Sequence, residues 1–365
     1  MAAFPARPTT PTQSARNHMS AGQLPRWMPW VTLGASLFFS FAIFALLNAD
    51  GEARDFNIAG ALVFGFVIFA VILVVISRLV ESGRHAANRL ATALVSLAFV
   101  IALLPLISLL YTVILDGIQR FDIEFFTHSM RSVVGPGGGA IHAIWGTLLV
   151  TLGAAIISVP IGLFTSIYLV EYGRGKLAKA ITFFVDVMTG IPSIVAGLFI
   201  VALFTMLVGP GQYMGLMGTL ALSVLMIPVV VRSSEEMLRL VPNELREASY
   251  ALGVPKWLTI AKVVLPTAIA GIMTGIMLSI SRVIGETAPL LLAAGFTASL
   301  NTNLFKEPMM TLPVFVYTQF QNPGTNIDAA IERAWAGALT LILIVLVLNI
   351  VARLIAKYFS PKTGR

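Results

Sequence analysis

Eight long apolar runs constrain this chain more than any other feature of its sequence. They lie near 30–49, 58–77, 90–115, 142–170, 181–208, 214–231, 265–295 and 333–356. Each is close to or beyond the ~20 residues that carry an α-helix across a bilayer. The expectation is therefore an all-α integral membrane protein with about eight transmembrane helices. Several of the later runs exceed the thickness of the hydrocarbon core, so they must tilt, kink or project beyond it. Composition agrees: charged residues make up 11% of the chain and apolar ones 57%, against roughly 25% charge in a soluble domain.

The formal charge of +7 invites a nucleic-acid reading. Where the cations fall argues against one. With a cytoplasmic N-terminus, the inner connections hold 18 Lys and Arg and the outer ones five: Arg54, Arg120, Arg131, Lys306 and, at the membrane edge, Arg333. That asymmetry fits the positive-inside rule, with both termini cytoplasmic and membrane lipid, not nucleic acid, as the surroundings. The last of the 24 cations, Arg282, lies inside an apolar run. Residues 1–29, rich in Pro, Ser, Thr and Ala, read as a disordered cytoplasmic tail. The run that follows them is too long and begins too late for a secretory leader. The connection at Glu81–Arg89 separates an accessory N-terminal helix pair, 30–81, from a larger unit, 82–365, with its longest cytoplasmic connection at 232–262.

Little in the sequence suggests bond chemistry. There is no cysteine, which removes disulfides, thiolate metal sites and cysteine nucleophiles. His18, His85, His128 and His142 lack metal-ligand spacing and read as isolated surface or interfacial residues; no metal site and no catalytic residue is expected. Gly135-Pro-Gly-Gly-Gly139 resembles a phosphate cradle only superficially, since no Gly-Lys-Ser/Thr follows it, and it reads as a flexible surface turn.

The connection at 232–262 contains Asn243-Glu-Leu-Arg-Glu-Ala-Ser-Tyr-Ala-Leu-Gly253, then Pro255-Lys-Trp257. Asn243 is suited to cap a helix with Glu244 and Glu247 in its first turn. That helix should end by Gly253 and Pro255, turning Lys256 and Trp257 toward a partner. The stretch Glu247-Ala248-Ser249, with Gly253 six residues and Pro266 nineteen residues after Glu247, resembles the EAA loop of bacterial ATP-binding-cassette (ABC) importer permeases. Ser249 replaces the second alanine of that pattern and Val263 its isoleucine. The resemblance implies a six-helix type I permease core preceded by two extra helices. It also implies a coupling surface around Glu247, Ala248, Gly253, Pro255, Lys256 and Trp257 that docks on an ATPase subunit. An amphipathic helix on the membrane surface is the competing reading, disfavoured by Glu235, Glu236, Glu244 and Glu247.

Arg282 opens the second informative segment, Arg282-Val-Ile-Gly-Glu-Thr-Ala-Pro-Leu-Leu291. Arg282 and Glu286, four apart, would share a helical face and could pair. Burying an arginine alone at this depth costs about 2.5–3.5 kcal/mol on insertion scales. A purely structural pair and an anion contact both answer that cost, the latter because a guanidinium offers a tetrahedral oxyanion fixed bidentate donors. Gly285 and Pro289 should break the helix alongside. This segment, together with Thr189–Phe199 and the run from Val241, resembles the PstA-type permease family of bacterial phosphate importers over residues 90–360.

That resemblance implies a phosphate path or gate near Arg282, Glu286 and Thr287, with Arg232 as a second candidate, although an arginine at a span end commonly just snorkels to the interface. The partners implied are a second, PstC-like permease, a PstB-like ATPase homodimer carrying the ATP and Mg, and an extracytoplasmic PstS-like phosphate-binding protein. No cofactor is expected in this chain. The implied location is the bacterial cytoplasmic membrane. Permeation of sulfate or molybdate, or ATP-independent secondary transport, is the alternative.

Overall fold

The computed structural model describes residues 24–25, 27–47, 58–81 and 83–359, and all regular structure among them is helical. The expected tail therefore lies outside the described residues up to residue 23. The helices are α1 (Met28–Leu47), α2 (Ile58–Val80), α3 (Gly83–Gly117), α4 (Ile123–Thr127), α5 (Ile141–Ile167), α6 (Lys176–Thr189), α7 (Ser193–Val208) and α8 (Gly215–Arg239). They continue with α9 (Asn243–Ala251), α10 (Lys256–Thr259), α11 (Leu265–Val283), α12 (Ala288–Ala293), α13 (Leu312–Gln321) and α14 (Ile327–Phe359). Among the described residues, seven helical stretches are long and apolar enough to cross a membrane. Helices α6 and α7, bent by 108° at their break, together pass the same test and make an eighth crossing if the pair is one span.

That bend corrects the continuous span expected at 181–208. Its cause is local. Gly190-Ile191-Pro192 separates the two helices; Pro192 has no amide hydrogen to donate, and it excludes Ile191 from helical backbone angles. Pro160 and Pro228, by contrast, lie within continuous helices, α5 and α8.

The chain divides into two compact units inside α3, between Ser108 and Leu109. In the N-terminal unit α1 and α2 pack as a pair. Gly65 admits the close approach, since a Cβ there would lie 2.9 Å from the Leu37 side chain. Ser40 Oγ donates to the Ala61 carbonyl at 2.5 Å. Below the pair, Glu81 accepts from Leu24 N at 2.9 Å, Ser77 Oγ at 2.7 Å and Arg89 at 2.7 and 2.8 Å. The Arg89 guanidinium foremost, opposed by burial and helped by Ser77, lowers the Glu81 pKa from 4.5 to about 2.

The second unit is organised around α5 and α8, its most extensively packed pair. Val150, Ala154, Leu222, Met226 and Val230 are fully buried in the core they share. On α11, Gly271 and Gly275 face Met237 and Ser233 of α8, so this small-residue pair serves close packing within the chain.

The glycine run is a second correction. It is not loose. Arg333 Nη1 donates to the Gly135 and Gly137 carbonyls at 3.0 Å each, and Arg120 Nη2 to the Gly138 carbonyl at 2.9 Å. Gly138 N donates to Glu124 Oε1 at 2.9 Å. Gly138 has φ +72°, and a Cβ on Gly139 would meet the Phe125 carbonyl. His142 also departs from expectation: it is 1% exposed, edge-on to Phe315, and neither ring nitrogen has a hydrogen-bond partner.

Candidate functional site

The stretch 243–264 is two short helices joined by a sharp turn. Helix α9 begins at Asn243 itself, so Asn243 does not cap it; its Oδ1 instead accepts from Arg246 Nη1 at 3.3 Å. Pro242 precedes the helix and Glu244 lies in its first turn. The end is a glycine stop: Gly253 has φ +76°, Gly253 N donates to the Tyr250 carbonyl at 2.9 Å, and Val254 N to the Ser249 carbonyl at 3.2 Å. That pattern satisfies the last carbonyls of α9 while reversing the chain. Pro255 then precedes α10, which runs into a π-helical turn at Ile260–Val264 before α11. Buried Ser249 and Thr259 hydroxyls hydrogen-bond at 2.8 Å and lock the arms together. An alanine at 249 could not make that bond.

The outer surface of this hairpin carries Glu247, Ala248, Gly253 and Pro255, all exposed. Trp257 and Leu252 are 64% and 83% exposed, so the hairpin also presents large apolar side chains. Lys256 does not join them as expected. Its Nζ turns inward, donates to the Glu171 carbonyl and sits 4.7 Å from the Tyr172 ring centroid. Arg246 and Glu171 form an ion pair at 2.9 Å beside it. Neither Glu171 nor Arg246 stands out in the sequence, because their pairing joins residues 75 positions apart.

Helix α11 stops at Val283, and α12 starts at Ala288 with Pro289 in its first turn. Arg282 and Glu286 consequently do not share a helical face. Arg282 is exposed, Glu286 is half-buried, and among the described residues they form no ion pair with each other. Gly285 is exposed with open space around it, Thr287 is half-buried, and Pro289 is buried. Beside the break, Ser281 Oγ accepts from Asn349 Nδ2 of α14 at 3.0 Å.

Arg232 occupies a different setting, near the end of α8. It donates to Glu235 Oε2 at 2.8 Å and also pairs with Asp186 of α6. Glu235, its side chain 6% exposed, accepts from Arg239 at 2.6 Å as well. Asp186, Glu235 and Arg239 border an open cavity of about 380 Å³ that also touches Lys179, Thr182 and Phe183. Arg232 is therefore an ion-paired link between α6 and α8, distant in sequence and in helix from Arg282.

The helical unit with its exposed hairpin and broken, arginine-bearing span belongs to the class of ABC importer permease subunits. Residues 158–365 match the family described as binding-protein-dependent transport system inner membrane component. More narrowly, the chain belongs to the PstA family of phosphate transport system permease proteins. It is 47% identical over 286 residues to the phosphate transport system permease protein PstA 1 of Mycobacterium tuberculosis (strain CDC 1551), covering 77% of this chain and 92% of the relative. To PstA of Yersinia pestis it is 39% identical over 277 residues, covering 75% of this chain and 92% of the relative. The fold is similar to that of a chain in the crystal structure of a bacterial alginate ABC transporter in complex with an alginate pentasaccharide-bound periplasmic protein. There the TM-score is 0.55 at 14% identity, covering 76% of this chain and 97% of the other. The chain is thus a multi-pass inner-membrane component of an ABC importer.

Proposed function

We propose that this chain and a second, PstC-like permease together form the path by which inorganic phosphate enters the bacterial cytoplasm, by alternating access around a site within the membrane. The observation that carries the reading is Arg282: an exposed guanidinium that forms no ion pair among the described residues, at the end of a broken span. An unpaired arginine at membrane depth must face a polar path or a partner subunit, and its forked donors match a tetrahedral oxyanion. Glu286 and Thr287 lie in the break that follows, and their proposed role is to tune or gate that contact. The PstA names of the relatives favour phosphate over sulfate or molybdate.

Energy comes from a separate PstB-like ATPase homodimer holding ATP and Mg, docked on Glu247, Ala248 and Trp257; this chain carries no Walker A sequence. A PstS-like binding protein delivers phosphate from outside. The 18-to-five cation bias supports both termini in the cytoplasm. The test is uptake of labelled phosphate, with sulfate as competitor, by cells expressing the complete importer with wild-type chain or Arg282→Gln at equal membrane abundance and equal ATPase copurification. Collapse of uptake in the variant is expected. Unchanged uptake removes Arg282 from the path, and wild-type transport of sulfate in place of phosphate overturns the substrate.

A further inference from the structure

The hairpin that carries the coupling surface is fastened to the transmembrane core at one small, mostly buried place. Arg246, on the inner face of α9, donates from Nε and Nη2 to Glu171 Oε1 at 3.0 and 2.9 Å. Its Nη2 and Nη1 also donate to the carbonyls of Leu238 and Val241, at 3.0 and 2.6 Å. One guanidinium thus grips the π-helical continuation of α5, Tyr168–Tyr172, the C-terminal end of α8 and the coupling helix together. The Arg246 and Glu171 side chains are 12% and 5% exposed. From the other arm, Lys256 reaches Glu171 as well, through its carbonyl, and the neighbouring Tyr172 ring.

Such a pair is poorly explained as a source of stability. Removing two charges from water offsets most of their attraction, and an apolar pair of similar volume often serves folding as well. What the ion pair supplies is fixed geometry: a planar fork whose donors are all directed at set acceptors. The location adds to this. The π-helical turns at 168–172 and 260–264 sit at either side of the junction, and π-turns concentrate where a helix meets a functional demand. Helices α5 and α8, the two that Arg246 joins, are the pair at the centre of the core.

We propose that Glu171 and Arg246 form a rigid joint that transmits displacement of the coupling hairpin to α5 and α8, and that it stays closed throughout the transport cycle. They are positioning residues; neither touches phosphate or nucleotide. The proposal rests on the importer reading above.

The test uses the complete importer reconstituted in liposomes, with ATP hydrolysis and phosphate import measured on the same vesicles. In Glu171→Gln and Arg246→Gln, phosphate imported per ATP should fall by about tenfold, the scale of coupling energies between linked sites, while hydrolysis persists. Should either variant assemble poorly, covalent replacement decides. The chain has no cysteine, so Glu171→Cys with Arg246→Cys introduces this chain's only thiols, and a short bis-methanethiosulfonate can bridge them through two reducible disulfides, releasing sulfinate. Import per ATP should be low before bridging, rise on bridging, and fall again with reductant. A bridged complex that stays uncoupled, or glutamine variants that keep the wild-type ratio, overturns the joint while leaving the importer reading intact. A wild-type complex that hydrolyses ATP but moves no phosphate overturns both.

Discussion

Pro289 lies so close to Gly197 that a Cβ on the glycine would come within 2.7 Å of the proline Cα. The two belong to separate segments, α7 and α12, and the contact is backbone against backbone, so no side-chain rotamer can relieve it. Gly197 therefore sets how deeply the broken span beside Arg282 sinks against α7. Gly197→Ala gains helix propensity of about 1 kcal/mol but overpacks at a cost of about 1–3 kcal/mol. We expect a lower thermal midpoint in detergent for alanine and a larger loss for valine. A midpoint at or above wild type for both would show that α12 moves away without penalty.

Much of this architecture is legible in the sequence because membrane spans announce themselves by length and the hairpin by spacing. Glu247, Gly253 and Pro266 locate the hairpin, and Gly253 shows its reason directly in a positive φ. What the sequence hides are the long-range partners. Arg246 reads in sequence as one more loop cation, because its partner Glu171 lies 75 residues away. Lys256 and Trp257 are adjacent and read alike, yet one turns in and the other out. The Arg282–Glu286 spacing gives a shared face only in a helix that continues past Val283, and α11 stops there. The glycine run read as loose because nothing local reveals that Arg333, nearly 200 residues on, clamps it.

The cluster at the end of α8 ranks its members by burial. Glu235 serves both Arg232 and Arg239 with a side chain 6% exposed, whereas Asp186 is 58% exposed. Exposed pairs contribute about 0–1 kcal/mol. Removing the shared buried carboxylate strands a partly buried guanidinium, for which about 1–3 kcal/mol is reasonable after discounting a fully buried pair for solvent screening. Glu235→Ala should thus destabilise the chain clearly more than Asp186→Ala. Thermal unfolding of the two variants side by side checks the order, and equal losses would place the burden on the α6 link instead.

Glu81 makes stability depend on acid. Its pKa, held down from 4.5 to about 2 chiefly by Arg89, is lower in the folded chain than when unfolded. The carboxylate therefore contributes stability that is fully present above the unfolded value and is lost as pH falls through the folded one. We expect Glu81→Gln to be less stable than wild type at pH 7. The gap should narrow as pH is lowered from about 5 toward 2. Melting curves across that range read it out, and a gap independent of pH would mean that the glutamine fails for reasons of shape.

Arg333 offers the sharpest test of a clamped outer loop. It is 4% exposed, and its guanidinium spans the Gly135 and Gly137 carbonyls and Gln319 Oε1, at 3.0, 3.0 and 2.9 Å. Methionine keeps much of the stem but removes every donor; a fully buried carbonyl left without a partner costs about 1–3 kcal/mol, and the half-buried Gly135 and Gly137 carbonyls should each cost less. Lysine restores a charge but not the fork, so it should hold fewer of the three acceptors. The loop carries its own reporter, since Arg131 is exposed four residues before Gly135. Trypsin cleavage after Arg131 in the detergent-solubilised chain should be slow in wild type, faster in Arg333→Lys and fastest in Arg333→Met. Should all three be cut at one rate, the Arg120 and Glu124 contacts to Gly138 hold the loop by themselves, and Arg333 serves only to anchor α14 to Gln319 of α13.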